Sequence, residues 1–439
     1  MTHRQVGRIR TLGAGLAMLC LGVHVLAQPG EAEREAFRLA NGLTESIRDV
    51  FEGGDLRTGY AEATGALLAF AEEHEGSGAW PVLRQMVASE AANVGLHETA
   101  LDAMGGGNGV PAAPEGLEVV GAVDAIVEAS AGRRVVILNE AHHVGRHREM
   151  ARRLLRPLRE AGFTHLACEA FANSAEDGFE VNAGSLGYAT RETGHYVADP
   201  FFAEAVREAV ELGFELVAYE TLDVRPPGGE SPATRVNRRE TNQAAQLAAV
   251  LEEEPEARIF VYCGYSHLTE SEVDMMGEPT LWMAARLAEL VGTDPLTVSQ
   301  TAFYPKTSAA DGVPGIAGYE SDDAFVLRDE GGLWSASPER YDVELLHPRL
   351  EAVSGRPGWM FRAPDRSAVR VDLSGVELDG EACVVVTRAG EPMDAIPSDV
   401  VRVAPGQSEA VLSLRAGEYR VWLVRAGGEP ELIASPGVE

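Results

Sequence analysis

The sequence predicts an α/β fold: a mostly parallel sheet with flanking helices, preceded by a helical segment and followed by a small all-β domain. Three patterns predict it. Residues 31–104 place apolar side chains at helical spacing, residues 117–304 alternate short β runs with amphipathic helices, and residues from 367 onward alternate β-rich runs with Gly and Pro turns. With 439 residues, 45% of them hydrophobic, the chain has the composition of a globular protein rather than a disordered one. The 37 Lys+Arg against 68 Asp+Glu leave a net charge of −31, which argues against nucleic acid or an anionic membrane as partner, since both need a positive footprint. Lys306 is the only lysine, a bias toward arginine from which no chemistry is read.

Taken in order, residues 1–27 read as a signal peptide. Arg4, Arg8 and Arg10 precede an apolar run from Leu12 to Val23, and Val25-Leu26-Ala27 stands before Gln28. Leu19 occupies the place where a lipoprotein signal needs a small residue before Cys20, which argues against lipidation. No later apolar run is long enough for a membrane span, so the mature chain is expected to be exported, periplasmic or extracellular. Cys168, Cys263 and Cys383 then remain, an odd number that cannot complete a disulfide framework.

Residues 28–104 form the helical region, with Phe37, Leu39, Leu43, Ile47 and Phe51 on one face. Residues 105–116, rich in Gly, Pro and Ala, read as a linker; the glycines there lack the flanking strand and Gly-Lys-Ser/Thr of a phosphate loop. In residues 117–304, β runs at Val135, His165, Glu215, Ile259 and Leu296 alternate with helices, among them one from about Glu240 to Glu253. Residues 305–361 are a connecting region without a clear pattern, and residues 362–439 read as a β-sandwich-like domain.

In a parallel sheet, ligands collect outside the carboxyl ends of the strands, because every strand delivers a loop there. Here those ends deliver Glu140 with His142 and His143, then Glu169, then Glu220, then Tyr265 and His267. His195 lies in a Gly-His-Tyr turn of the same part, and six of the eleven histidines fall within it. Glu220 reads equally well as the solvated cap of a following helix. Two imidazoles with two carboxylates allow two chemistries. A divalent metal held by His142, Glu169 and His267 could activate water, or one His could be a general base oriented by a Glu. No Gly-x-Ser-x-Gly elbow and no His-Glu-x-x-His helix is present.

Glu140-x-His142 after a strand, Glu169 after the next, Arg239-Glu240-x-Asn242 opening a helix, and Gly264-Tyr265-Ser266-His267 after a late strand resemble the superfamily of ChaN-like haem-uptake proteins, Tiki proteases, TraB proteins and erythromycin esterases. The resemblance covers less than half the chain. It implies two Gly-x-x-His motifs with glutamates lining one site; Gly264 to His267 matches the second, whereas the first has Asn139 in place of glycine. ChaN-like spacing selects His142, and esterase-like spacing selects His143. Arg239 is implied as a cation near the rim, beside Tyr265, Glu220 and His195 as substrate-binding residues. The implied function is a hydrolase that activates water with Glu140, His142 or His143, Glu169 and His267 against an ester, lactone or amide of a small molecule or peptide. The alternative implied is haem or metal binding without turnover, with Tyr265, His142 and His267 as axial ligands. A third reading is a scaffold whose central site is degenerate.

Overall fold

The computed structural model describes residues 31–52, 55–106, 112–172, 181–220, 230–313, 315–378 and 380–439; the expected signal peptide and Cys20 lie outside the described residues, as does part of the expected linker. Four helices come first: α1 (Glu31–Phe51), α2 (Leu56–His74), α3 (Trp80–Asn93) and α4 (His97–Met104). Ala36, Ala40, Leu43, Ile47 and Phe51 recur every three or four residues of α1 and are all buried. No helix among the described residues is long and apolar enough to cross a membrane.

The central part runs β1 (Glu118–Gly121), α5 (Ala122–Ala129), β2 (Val135–Glu140), α6 (Gly145–Glu160), β3 (His165–Cys168), α7 (Asn182–Leu186), α8 (Pro200–Glu211), β4 (Glu215–Ala218), α9 (Pro232–Glu253) and β5 (Ile259–Gly264). It continues through a small hairpin, β6 (Val273–Met275) and β7 (Glu278–Thr280), then α10 (Met283–Val291), β8 (Leu296–Ser299), β9 (Phe325–Asp329), β10 (Gly332–Leu333) and β11 (Val343–Leu346). The sheet order is β1-β9-β11-β8-β2-β5-β3-β4, with β10 beside β9. From β11 to β4 every pair is parallel, and β1, β9 and β10 add an antiparallel edge.

Both faces of this sheet are covered. Val135 and Ile137 pack with Leu247 and Leu251 of α9 and Leu287 of α10, whereas Val136 and Leu138 pack with Leu154 and Leu158 of α6. Alternate side chains of one strand thus enter two separate cores, which is why β2 reads as an uninterrupted apolar run.

Two sequence expectations change. The region 305–361 is not merely a connection: it supplies β9, β10 and β11, so the sheet extends past residue 304. Arg239-Glu240 does not open a helix. α9 starts at Pro232, where Ser231 Oγ accepts the Thr234 N–H at 3.1 Å, and the pair lies about two turns in.

The tail contains antiparallel β12 (Arg366–Asp372), β13 (Ala382–Arg388), β14 (Asp399–Val403), β15 (Glu409–Arg415), β16 (Gly417–Arg425), β17 (Glu431–Ala434) and β18 (Gly437–Val438). β12 and β15 form one sheet and the other five a second. Val371 and Leu412 from the first share a core with Val384, Val386 and Leu423 from the second. Buried ions tie this tail to α8: Glu204 accepts from Arg207 Nη1 at 3.2 Å, Ser398 Oγ at 2.9 Å and Arg388 Nη2 at 2.9 Å. Replacing one member of such a cluster strands the others without their counter-charge. Glu204→Ala is expected to cost about 3–5 kcal/mol in a urea-unfolding measurement; a loss below about 1 kcal/mol would show that the cluster does not hold the tail in place.

Candidate functional site

Strand order, not sequence order, assembles the site. β5 lies between β2 and β3, so Glu140 is paired with Gly264 and Cys168 with Tyr262. Glu169, one residue beyond β3, donates its backbone N–H to Tyr262 O at 3.0 Å. Three chain segments more than a hundred residues apart at their extremes therefore end side by side.

The first group centres on Glu140, the last residue of β2. Its Oε1 lies 2.8 Å from His142 Nδ1, while its Oε2 accepts from Arg148 Nε at 3.1 Å and from Tyr262 OH at 2.7 Å. Arg148 Nη2 also donates to His142 O at 2.6 Å, and its Nη1 lies 2.9 Å from Asp199, the N-cap of α8. Burial alone would raise the Glu140 carboxyl, but Arg148 and His142 outweigh it and hold the group down at about 2. The His142 ring is stacked on Tyr196 with centroids 4.0 Å apart and meets Tyr265 edge-on at 5.3 Å. Its position and its Nδ1 partner are both set.

The second group centres on Arg239 of α9. Its Nη2 donates to Glu169 Oε1 at 2.6 Å, its Nε to Glu220 Oε2 at 2.9 Å, and its Nη1 lies 3.1 Å from His267 Nε2. His267 Nδ1 is 2.8 Å from Glu240 Oε2, which also accepts the Met283 N–H at 2.9 Å. Glu169 Oε2 accepts the Gly264 N–H at 2.5 Å. Burial would raise Glu169, yet His267 and Arg239 hold it well below the usual carboxylate range.

The two groups meet at Gly264. A Cβ there would lie 2.5 Å from His142 Cε1, 2.6 Å from His142 Nε2 and 3.0 Å from Glu169 Oε2. The next residue, Tyr265, has φ +35°, a left-handed conformation uncommon outside glycine and of the kind found at functional sites. Asn139 stabilises this turn: its Nδ2 donates to Tyr265 O at 2.7 Å, and its Oδ1 accepts the Gln300 N–H at 2.8 Å. Asn139 stands inside β2, so its place in the first motif needs no glycine-like backbone.

Of the residues singled out from sequence, the structure brings Glu140, His142, Glu169, Glu220, Arg239, Tyr265 and His267 to one rim. His143 points elsewhere: its Nε2 lies 3.5 Å from Tyr304 OH, and burial pushes its pKa down to about 3. His195 sits behind the site, its ring 5.0 Å from Tyr196 and its Nε2 3.8 Å from Glu90. Arg148, Tyr262, Tyr196 and Asp199 were not anticipated. Glu-x-His followed by an arginine on the next helix turn is the signal that could have found Arg148.

A metal held by His142, Glu169 and His267 does not fit, because Arg239 already contacts both Glu169 Oε1 and His267 Nε2, which themselves lie 3.4 Å apart. Haem ligation by His267 does not fit either, since its two ring nitrogens face Glu240 and Arg239. Among the described residues, the His/carboxylate group spaced for an ion is His165, Glu215 and Glu254, at the amino ends of the strands, away from this site.

No family model matches the chain, and no curated protein matches it. Among solved structures it is similar to the type III effector HopBA1, at 16% identity and TM-score 0.29 over 45% of this chain and 90% of that one. It is also similar to RRSP, a MARTX toxin effector domain from Vibrio vulnificus CMCP6, at 12% identity and TM-score 0.33 over 62% of this chain and 63% of that one. A third is the C-terminal region of Pasteurella multocida toxin, described with a thiol-protease like catalytic triad, at 10% identity and TM-score 0.32 over 82% of this chain and 55% of that one. Likeness at this level carries no argument about function.

The site itself yields two tests. Gly264→Ala should force His142 or Glu169 out of place and cost about 1–3 kcal/mol in chemical denaturation; unchanged stability and unchanged histidine NMR shifts would show that the contact is slack. Glu140 ionises at about 2 folded against 4.5 for its ordinary value, so its stabilisation is complete above about 4.5 and is lost as pH falls toward 2. That shift corresponds to roughly 3 kcal/mol. Acid-unfolding curves of Glu140→Gln should lack this part of the pH dependence, and a curve with the original slope would refute the assignment.

Proposed function

We propose that the chain is an exported hydrolase in which His142, oriented by Glu140, activates water against an ester, lactone or amide carbonyl. One observation carries this: a buried imidazole has Nδ1 on a carboxylate and turns its Nε2 edge toward Gly264, where the Arg239 group begins. A carboxylate at Nδ1 favours the tautomer with that nitrogen protonated and raises the basicity of the other. His142 Nε2 then takes a proton from water as the water oxygen adds to the carbonyl carbon. The developing oxyanion is stabilised by the Arg239 guanidinium, which Glu169 and Glu220 hold in orientation. Collapse of the tetrahedral species expels the alcohol or amine, which recovers the proton from His142.

His267 acts as a positioning residue. Clamped between Glu240 and Arg239, it keeps the guanidinium aimed at the rim. The bond type rests on the resemblance to the ChaN, Tiki, TraB and erythromycin esterase superfamily, and export rests on the leader pattern. A thiol nucleophile is not part of the mechanism: Cys168, Cys263 and Cys383 are all buried, and burial pushes each thiol up.

A panel of esters, lactones and amides, with haemin alongside, tests the reading. On the first substrate turned over, His142→Gln should lower kcat by about 10²–10⁴, the usual worth of a general base, while His143→Gln keeps the wild-type rate. Activity should persist in excess chelator. Loss of activity in chelator with recovery on adding a divalent metal, or an unchanged rate in His142→Gln, would overturn the mechanism. A sharp visible band with haemin and no turnover of any substrate would favour the binding alternative.

A further inference from the structure

The amino ends of the strands, opposite the rim, hold a second group of ligating side chains. His165 opens β3 and is paired in register with Glu215, which opens β4. His165 stands two residues before Ala167 and Glu215 two before Val217, both on the face covered by α9 and α10, so the two side chains share that face. α9 leads into β5, and its C-cap, Glu254, reaches the same end of the sheet. His165 Nε2 lies 3.3 Å from Glu215 Oε2 and 3.6 Å from Glu254 Oε1, and one ligand atom from each residue falls within 4.8 Å of the others.

Three features set this group apart from the ion pairs elsewhere in the chain. His142 and His267 meet their glutamates at 2.8 Å, as charge-assisted hydrogen bonds do, whereas both His165 contacts are longer. Two ligand atoms each about 2.0–2.2 Å from one tetrahedral ion stand about 3.3–3.6 Å apart, which is the spacing seen here. The other ring nitrogen is occupied as well. Nδ1 lies 2.8 Å from Thr164 Oγ1, a hydroxyl that donates to Arg258 O at 3.4 Å and so is left to accept from Nδ1. With the proton on Nδ1, the Nε2 lone pair faces two carboxylates, an arrangement that calls for a cation between them. Finally, no arginine fills that place: among the described residues neither Glu215 nor Glu254 pairs with a guanidinium. Arg134 and Arg258 nearby donate to backbone carbonyls instead, Arg134 to Leu251 O at 3.1 Å and Arg258 to Ser130 O at 2.9 Å.

We infer that His165, Glu215 and Glu254 bind a divalent transition-metal ion of the zinc class, at a site distinct from the Glu140–His142 pair and independent of the hydrolase reading. The His165 side chain is 3% exposed and fixed by Thr164, so one ligand is already in place. Glu215 and Glu254 are 69% and 53% exposed, which gives the ion an entry from solvent and leaves its fourth position to water. An imidazole beside two carboxylates favours zinc over magnesium or calcium, which take oxygen ligands. The ion ties β3, β4 and the end of α9 together, and its role is structural: it lies at the opposite end of the sheet from His142 and Arg239.

The test uses the full, untagged chain, stripped of metal with a chelator that is then dialysed away. Titration calorimetry with zinc chloride should show one tight site per chain that magnesium chloride does not fill, and zinc should raise the melting temperature. His165→Gln and Glu215→Gln should each weaken that site at least about tenfold, no less than the loss of an outer-shell partner costs, and should remove the rise in melting temperature. Glu215→Gln alters only an exposed side chain, so it carries the test even where His165→Gln fails to fold. Turnover of any substrate found for the wild type should be unchanged in Glu215→Gln, which keeps this inference separate from the hydrolase mechanism. No zinc binding by the stripped chain, a melting temperature indifferent to zinc, or wild-type zinc affinity in both Glu215→Gln and Glu254→Gln would overturn the inference.

Discussion

The missing side chain at residue 264 is the constraint on which the rim depends. Glu140 and Glu169 close strands on either side of β5, and the buried groups attached to them must approach across the backbone of that middle strand. Only a hydrogen at Gly264 leaves His142 and Glu169 room to do so. Any other residue would push the imidazole away from the Arg239 group and leave two unrelated ion clusters. The strained Tyr265 conformation beside it is compensated by hydrogen bonds from Asn139 and to Glu140 O, which lock the turn from both sides.

The rest of the site is an exercise in keeping buried charges paired. Four carboxylates, Glu140, Glu169, Glu220 and Glu240, are withdrawn from water at one edge, and each has a cationic or imidazole neighbour. Desolvating an ion is costly unless its partners replace water with good geometry. Arginine suits this because its planar fork reaches two or three acceptors at once, as Arg148 and Arg239 do. The same solution recurs away from the rim, where Arg152, Arg207 and Arg366 bind acids between the central helices and the tail. In a chain with strong acidic excess, the arginines thus serve as internal counter-ions.

Much of the fold was readable because β2, β3, β5 and β8 are buried on both faces and therefore appear as bare apolar runs. β9 and β11 were not readable: they are short and separated by loops, and the pairing of β11 with β8 and with β9 is long-range. The Ser231-Pro232 start of α9 was available as a capping signal but was overshadowed by the charged Arg239-Glu240 pair. At the site, residue types at strand ends were informative, whereas the choice between His142 and His143 was not, because adjacent residues past a strand diverge by local turn geometry alone. Arg148 stayed hidden on a helix whose exposed face is also rich in arginine. Buried charges of this kind break the apolar pattern by which sequence reveals a core.

The most direct test of the account is the tautomer of His142, read from long-range ¹H–¹⁵N NMR spectra at neutral pH and identified by comparison with a chain lacking that imidazole. A Glu140-oriented base requires the proton on Nδ1 with Nε2 bare, and removal of the Glu140 carboxylate should alter that signal strongly. A proton on Nε2, or a spectrum indifferent to Glu140, would contradict it.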